Sequence, residues 1–99
     1  MIAPEASVHW WRSPRVAWVA EADRAVLLNL ESEAPQPEQL DGTAAAIWTL
    51  LGATPLSLDQ IVTPLATAYG VAPDAIRGDV AAFLETLRAK GYAESSELS

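Results

Sequence analysis

The chain has 99 residues, a length typical of one domain, and 51% of them are hydrophobic, so it can bury a core of its own. It has no cysteine, which excludes disulfides, thiolate nucleophiles and cysteine-based metal sites. Thirteen acidic residues against six basic ones give a net charge of −7, so the chain repels nucleic acid on average and favours a neutral or basic partner.

No targeting or membrane segment is predicted. Residues 1–5 lack the basic segment and apolar core of a signal peptide. The longest apolar run, residues 44–53, is about half the length that a membrane-spanning helix needs. We therefore expect a soluble, cytoplasmic protein that contacts no membrane, and the absence of cysteine agrees with a reducing compartment.

Alternating apolar residues in the first third of the chain predict strands. Residues 15–21 and 25–31 each place apolar side chains on one face, and the turn-like residues 22–24 connect them. These two segments therefore predict a β-hairpin. Residues 8–11 predict a further short strand.

Three helices are predicted in the remainder of the chain, over residues 43–51, 58–69 and 73–90. Each has apolar residues at helical spacing and is followed by a glycine that can end it. Ser57 and Gln60 have the spacing of a capping box at the start of the second helix.

The order of these elements predicts the fold class. Strands followed by a run of helices indicate an α+β fold, here an N-terminal antiparallel three-stranded sheet and three helices. A hairpin is not stable alone, so the sheet must pack its apolar face on the helices. We assign residues 13–93 to this domain, residues 1–12 to an N-terminal extension, and the polar residues 94–99 to a disordered tail.

Residues that could carry catalysis are not grouped in the sequence. His9 is the only histidine, so neither a histidine-based metal site nor a Ser-His-Asp set is indicated. There is no glycine-rich phosphate loop, and Asp74 and Asp79 do not share a face of the third helix. We predict no catalytic residue, metal or cofactor, and therefore no enzyme.

A hairpin followed by three helices also fits a winged-helix regulator that binds DNA through its third helix. In this chain Arg77, Arg88 and Lys90 of that helix are balanced by three acidic residues. A DNA reader should present a basic face. DNA binding therefore stays an alternative that the charge pattern disfavours.

The stretch 30–42 (LESEAPQPEQLDG) leads into the first helix and contains Pro35 and Pro37. Strand residues i and i+2 send their backbone groups to the same side, so the prolines leave one edge short of two donors. If that edge faces the hairpin, the outer edge is intact. If it faces outward, pairing with a further strand must begin near residues 39–40. A plain loop over residues 32–38 is the remaining interpretation.

Three segments in this order resemble the PqqD-like family, namely residues 40–51 (LDGTAAAIWTLL), 57–70 (SLDQIVTPLATAYG) and 79–92 (DVAAFLETLRAKGY). The family comprises RiPP recognition elements, which are small winged helix-turn-helix domains of peptide-modification pathways. The resemblance covers roughly residues 13–93. The chain departs from the family pattern at residues 35–40, where PQPEQL stands in place of a plain third strand.

The resemblance implies a non-enzymatic domain whose partner is the leader segment of a ribosomally made precursor peptide. The leader would add as a strand beside the third strand, against the third helix, and would be presented to a leader peptidase or another modifying enzyme. The length and style of the sequence favour the lasso peptide type. The alternatives are a chaperone for a radical SAM enzyme and a structural subunit that pairs with one large enzyme.

The same resemblance implies a set of peptide-binding residues. Ile76, Phe83 and Leu87 are our predicted core residues of the third helix, and a charge at position 80 should weaken leader binding at less cost to stability than a charge at position 83. An open strand edge also predicts a monomer or a weak homodimer. The predicted peptide-binding residues are Gln36, Glu38, Gln39, Leu40, Arg77, Asp79, Val80 and Leu84.

Overall fold

The computed structural model describes residues 8–97, and this part of the chain forms six strands and three helices. In chain order the elements are β1 (Val8–Arg12), β2 (Val16–Glu21), β3 (Arg24–Asn29), β4 (Glu38–Asp41), α1 (Thr43–Leu50), β5 (Leu56–Ser57), α2 (Leu58–Tyr69), α3 (Pro73–Ala89) and β6 (Ala93–Glu97).

The predicted three-stranded antiparallel sheet is present, with strand order β2-β3-β4. Trp18 lies opposite Leu27, and Ala25 lies opposite Leu40, so these side chains share the inner face of the sheet. Leu27, Ala25 and Leu40 are buried on this face, against the helices. The α+β prediction is therefore confirmed.

A second three-stranded sheet, with strand order β5-β1-β6, was not predicted. All five residues of β1 pair with β6, from Val8 opposite Glu97 to Arg12 opposite Ala93. The prediction of a disordered tail is therefore wrong for residues 94–97, because backbone pairing with β1 orders a polar segment that has no apolar pattern of its own. The rest of the predicted extension and tail, residues 1–7 and 98–99, lies outside the described residues.

The helix ends follow the sequence signals. Gln60 N donates to Ser57 Oγ (3.2 Å) and Ser57 N donates to Gln60 Oε1 (2.8 Å), which confirms the capping box. Gly91, two residues beyond α3, has a φ of 82°, and a Cβ there would lie 2.8 Å from Asn29 Nδ2. Asn29 Nδ2 in turn donates to Lys90 O, so this glycine lets the end of α3 close onto β3.

The core joins both sheets and the helices. Its largest fully buried side chains are Trp48, Leu27, Leu51, Ile61, Leu84, Leu87, Val62 and Val80. None of the described helices is long and apolar enough to cross a membrane.

Arg12 of β1 makes several contacts at the end of α1. Arg12 Nη2 donates to the carbonyl oxygens of Trp48 (3.0 Å) and Leu51, at the end of α1, which has no basic residue of its own in its last turn. The Arg12 guanidinium lies 4.0 Å from the Trp18 ring centroid and 5.0 Å from that of Trp48. The two indoles meet edge to face, with centroids 5.9 Å apart. Desolvation by burial lowers the pKa of Arg12. The carbonyl oxygens and the two rings stabilise its positive charge.

We expect Arg12→Ala to lower the free energy of unfolding by about 2–4 kcal/mol, because it removes two charge-assisted hydrogen bonds and a cation–π contact. Urea denaturation measures this change. The matched control is Arg15→Ala, which removes an exposed ion pair with Glu31 and should cost about 1 kcal/mol or less. Equal losses for the two variants would contradict a special role for Arg12.

Candidate functional site

Strand β4 leaves one edge of its sheet unpaired. Within residues 8–97, β4 pairs with β3 alone, and no described strand lies on its other side. An edge strand of this kind exposes a row of backbone donors and acceptors that another strand can complete.

The hydrogen-bond pattern shows which groups that edge presents. Gly42 N donates to Asp23 O (2.9 Å), and this pair is in register with Leu40–Ala25 and Glu38–Leu27. Antiparallel ladders alternate between hydrogen-bonded and non-hydrogen-bonded pairs, so residues 38 and 40 bond to β3. Gln39 and Asp41 therefore direct their N–H and C=O groups to the free edge.

The two prolines lie just before this strand. Residues 35–37 have no regular structure, and Gln36 is exposed outside β4. Neither proline therefore belongs to a strand, and the alternation of β4 does not extend to them. Of the three interpretations, the loop is the one that the structure shows, over residues 32–37, with Glu38 already in β4. The outward-facing backbone groups of β4 begin at Gln39.

An apolar pocket lies beside the end of β4, between the start of α1 and the first half of α3. It has a volume of about 340 Å³. Thr43 and Ala44, which form part of its wall, follow β4 with only Gly42 between them. The lining residues are Thr43, Ala44, Ile47, Ile76, Asp79, Val80 and Phe83. The pocket wall therefore begins two residues beyond the end of β4.

The two predicted faces of α3 are largely reversed. Val80 is 2% exposed and Leu84 is 0% exposed, so both pack in the core together with Leu87. Ile76 and Phe83, which we predicted as core, are only partly buried and line the pocket. The reason is that α3 packs on α2 and β6 through Val80, Leu84 and Leu87, while its neighbouring flank faces α1.

The predicted peptide-binding residues therefore fall into three groups. Asp79 and Val80 line the pocket, Val80 as a buried floor residue. The β4 residues Glu38, Gln39 and Leu40 form the strand, with the side chain of Leu40 buried. Gln36, Arg77 and Leu84 do not line this pocket. Whether any of these residues contacts a peptide stays a prediction.

Arg77 points to acidic neighbours. Its Nε lies 3.4 Å from Asp74 Oδ1, and its Nη1 pairs with Asp59 of α2. The hydrogen bond to Asp59 is the main reason that the pKa of Arg77 is raised. Arg88 likewise pairs with Glu85, and Lys90 with Glu38. All three cations at α3 are therefore ion-paired, and this helix presents no basic face for DNA.

An ion pair connects β4 to the far end of α3. Lys90 Nζ lies 2.8 Å from Glu38 Oε2, beside the phenol of Tyr92, which is 6% exposed. The hydrogen bond to Glu38 raises the pKa of Lys90, and burial, followed by the charge of Glu38, raises that of Tyr92. This pair spans 52 residues of sequence, so no local pattern could have predicted it.

The pocket residues that we missed do carry a sequence signal. Ile76 and Phe83, which were predicted as core, and Asp79, which was predicted to bind peptide, follow i, i+3, i+7 spacing, which places them on one flank of the helix. The core residues Val80, Leu84 and Leu87 have an equivalent spacing, so periodicity identifies two stripes without deciding which one is buried.

Residues 8–97 contain no group of three or more histidine, cysteine, aspartate or glutamate side chains that could hold a metal ion. His9 lies in β1, opposite Ser57 and Ser96. The described site is thus a strand edge and an apolar pocket.

The chain matches one family model and is similar to a solved structure. A family model described as "Coenzyme PQQ synthesis protein D (PqqD)" matches residues 24–93. The chain is also similar to a solved structure of TbiB1 in complex with the TbiA(beta) leader peptide, with a TM-score of 0.74 and 27% sequence identity. The match covers 85% of this chain and 94% of that one. No curated protein gives a significant match to the chain.

Replacing one residue on each flank of α3 tests which flank is buried. We expect Leu84→Ala to lower the free energy of unfolding by about 2–5 kcal/mol, as a cavity in the core does. Phe83→Ala should cost about 1–2 kcal/mol, because its ring is already partly exposed. Urea denaturation of both variants checks the order, and a larger loss for Phe83→Ala would restore the faces predicted from the sequence.

The ion pair and Tyr92 predict a loss of stability in alkali. Both Lys90 and Tyr92 bind their protons more tightly in the folded state, so their contribution is complete below about pH 10 and is lost as the pH rises through their folded pKa values. Urea denaturation between pH 9 and about pH 11 should show this decline. Tyr92→Phe should make the decline shallower.

Tyr69→Phe is the matched control, because this phenol is 50% exposed on the surface of α2 and its removal should leave the decline in place. The prediction fails if Tyr92→Phe loses stability with pH as steeply as the unaltered protein.

Proposed function

The chain belongs to the PqqD family, and on that premise we propose that it is a non-catalytic recognition element for the leader segment of a ribosomally synthesised precursor peptide. The leader adds as a strand to the free edge of β4 and places a side chain in the pocket between α1 and α3. We also interpret α2, residues 70–72 and α3 as the helix-turn-helix of a winged domain.

The observation that carries this proposal is the position of the free edge. The outward N–H and C=O groups of Asp41 come two residues before Thr43, which lines the apolar pocket, so one extended peptide can reach both. Main-chain bonds align such a peptide, and the pocket selects its side chain.

The similarity to TbiB1 supports the same proposal. That structure holds a leader peptide, and it resembles this chain over most of the length of both. The proposed partner is accordingly a precursor leader. We expect a monomer or a weak homodimer, because the free edge of β4 allows limited pairing between copies.

We infer that the bound leader is presented to a separate enzyme, a leader peptidase of a lasso peptide pathway. The sequence resemblance favours this type, and a radical SAM enzyme is the alternative. The test is to measure how fast purified peptidase cleaves the precursor peptide with and without this protein. Faster cleavage in its presence supports the peptidase as the partner. Unchanged cleavage would contradict presentation to the peptidase.

Leader binding is tested by fluorescence anisotropy with a labelled synthetic peptide that has the leader sequence of the precursor encoded beside this gene. We expect a dissociation constant below about 100 µM. Gln39→Pro should weaken binding about tenfold, because it removes an outward donor and puts a ring on the edge.

The matched control is Gln39→Ala, which changes only the side chain and should bind within about twofold of the unaltered protein, because strand addition uses the main chain. Thermal melting checks that both variants fold. Equal affinities of the two variants would show that this edge does not bind the leader, and no binding by the unaltered protein would overturn the proposed function.

A further inference from the structure

Asp79 is the only charged residue among those that line the pocket beside β4. Its carboxylate is exposed at the rim, next to the partly buried Ile76 and Phe83. Within residues 8–97, no cation pairs with it. The pocket thus combines an apolar wall with one negative group whose charge is not compensated.

The neighbouring basic residues of α3 do not offset this negative charge. Arg77, the basic residue nearest in sequence, is already held by Asp59 and Asp74. Lys90, on the same flank of the helix as Asp79 but three turns away, is held by Glu38. Neither cation therefore compensates the carboxylate of Asp79, whose charge attracts a cation and repels an acid at the mouth of the pocket.

We infer that the pocket receives a lysine or arginine side chain of the leader. Its methylene stem would lie along Ile76 and Phe83, and its charged head would reach the Asp79 carboxylate. Long basic side chains bury an apolar stem and keep the head at a polar rim, and a cavity of about 340 Å³ has room for one. This inference rests on the proposed function and adds to it the class of side chain that the leader must carry.

The experiment is a double-mutant cycle that uses the full chain and the same labelled leader peptide. Each lysine or arginine of the peptide is replaced in turn by norleucine, which keeps an apolar stem and removes the charge. At one position the replacement should weaken binding to the unaltered protein about fivefold, as expected of an exposed ion pair. Asp79→Asn should weaken binding of the unmodified peptide by the same factor. This variant should bind the norleucine peptide no more weakly than it binds the unmodified peptide.

Glu85→Gln is the matched control, because it removes the same charge from α3 at a position that does not line the pocket. It should bind every peptide as the unaltered protein does. Raising the salt concentration should weaken binding to the unaltered protein more than binding to Asp79→Asn.

The outcomes separate the two levels of the proposal. If the unmodified leader binds normally but no replacement is coupled to Asp79, or if the leader that binds has no basic residue, the inference is overturned and the proposed function stands. If the unmodified leader does not bind the unaltered protein at all, both are overturned.

Discussion

The Arg12 guanidinium contacts three parts of the molecule at once, β1, the hairpin and the end of α1. It bonds to the carbonyl end of α1, lies on the rings of Trp18 and Trp48, and is itself part of β1. Two polar atoms in this contact, Arg12 Nε and Trp48 Nε1, are buried without a hydrogen-bond partner among the described residues. Each costs about 1–3 kcal/mol, so the ring contacts and carbonyl bonds must offset that penalty.

This contact fixes the geometry of the candidate site from the opposite end of α1. The helix is held at its C-terminus by Arg12, and its first residues, Thr43 and Ala44, form the wall of the pocket. The other wall is α3, whose far end is fixed to β4 by the Glu38–Lys90 pair. The pocket is therefore bounded by elements that are each secured elsewhere in the fold, so it is formed before any peptide binds.

The size of the free edge limits what main-chain hydrogen bonds can contribute in the proposed mode of leader binding. Gln39 and Asp41 offer two donors and two acceptors, and four net hydrogen bonds contribute about 2–6 kcal/mol. A micromolar dissociation constant needs about 8 kcal/mol after the cost of ordering the peptide. The residues before Glu38 form no strand, and Pro37 has no N–H to donate, so the ladder is not extended on that side. In the proposed mode, burial of a side chain in the pocket has to supply the difference.

The sequence by itself determined the elements whose signals are local. The hairpin, the three helices, the capping box at Ser57 and the ordered family motifs are read from spacing, because alternation and helical periodicity act over a few residues. Tertiary structure decided the rest. Strand β6 forms only because β1 pairs with it from more than 80 residues away. The buried stripe of α3 was set by the packing of α2 and β6, and the outward direction of the Gln39 and Asp41 backbone groups by the register with β3. Neither is encoded by the residues concerned alone.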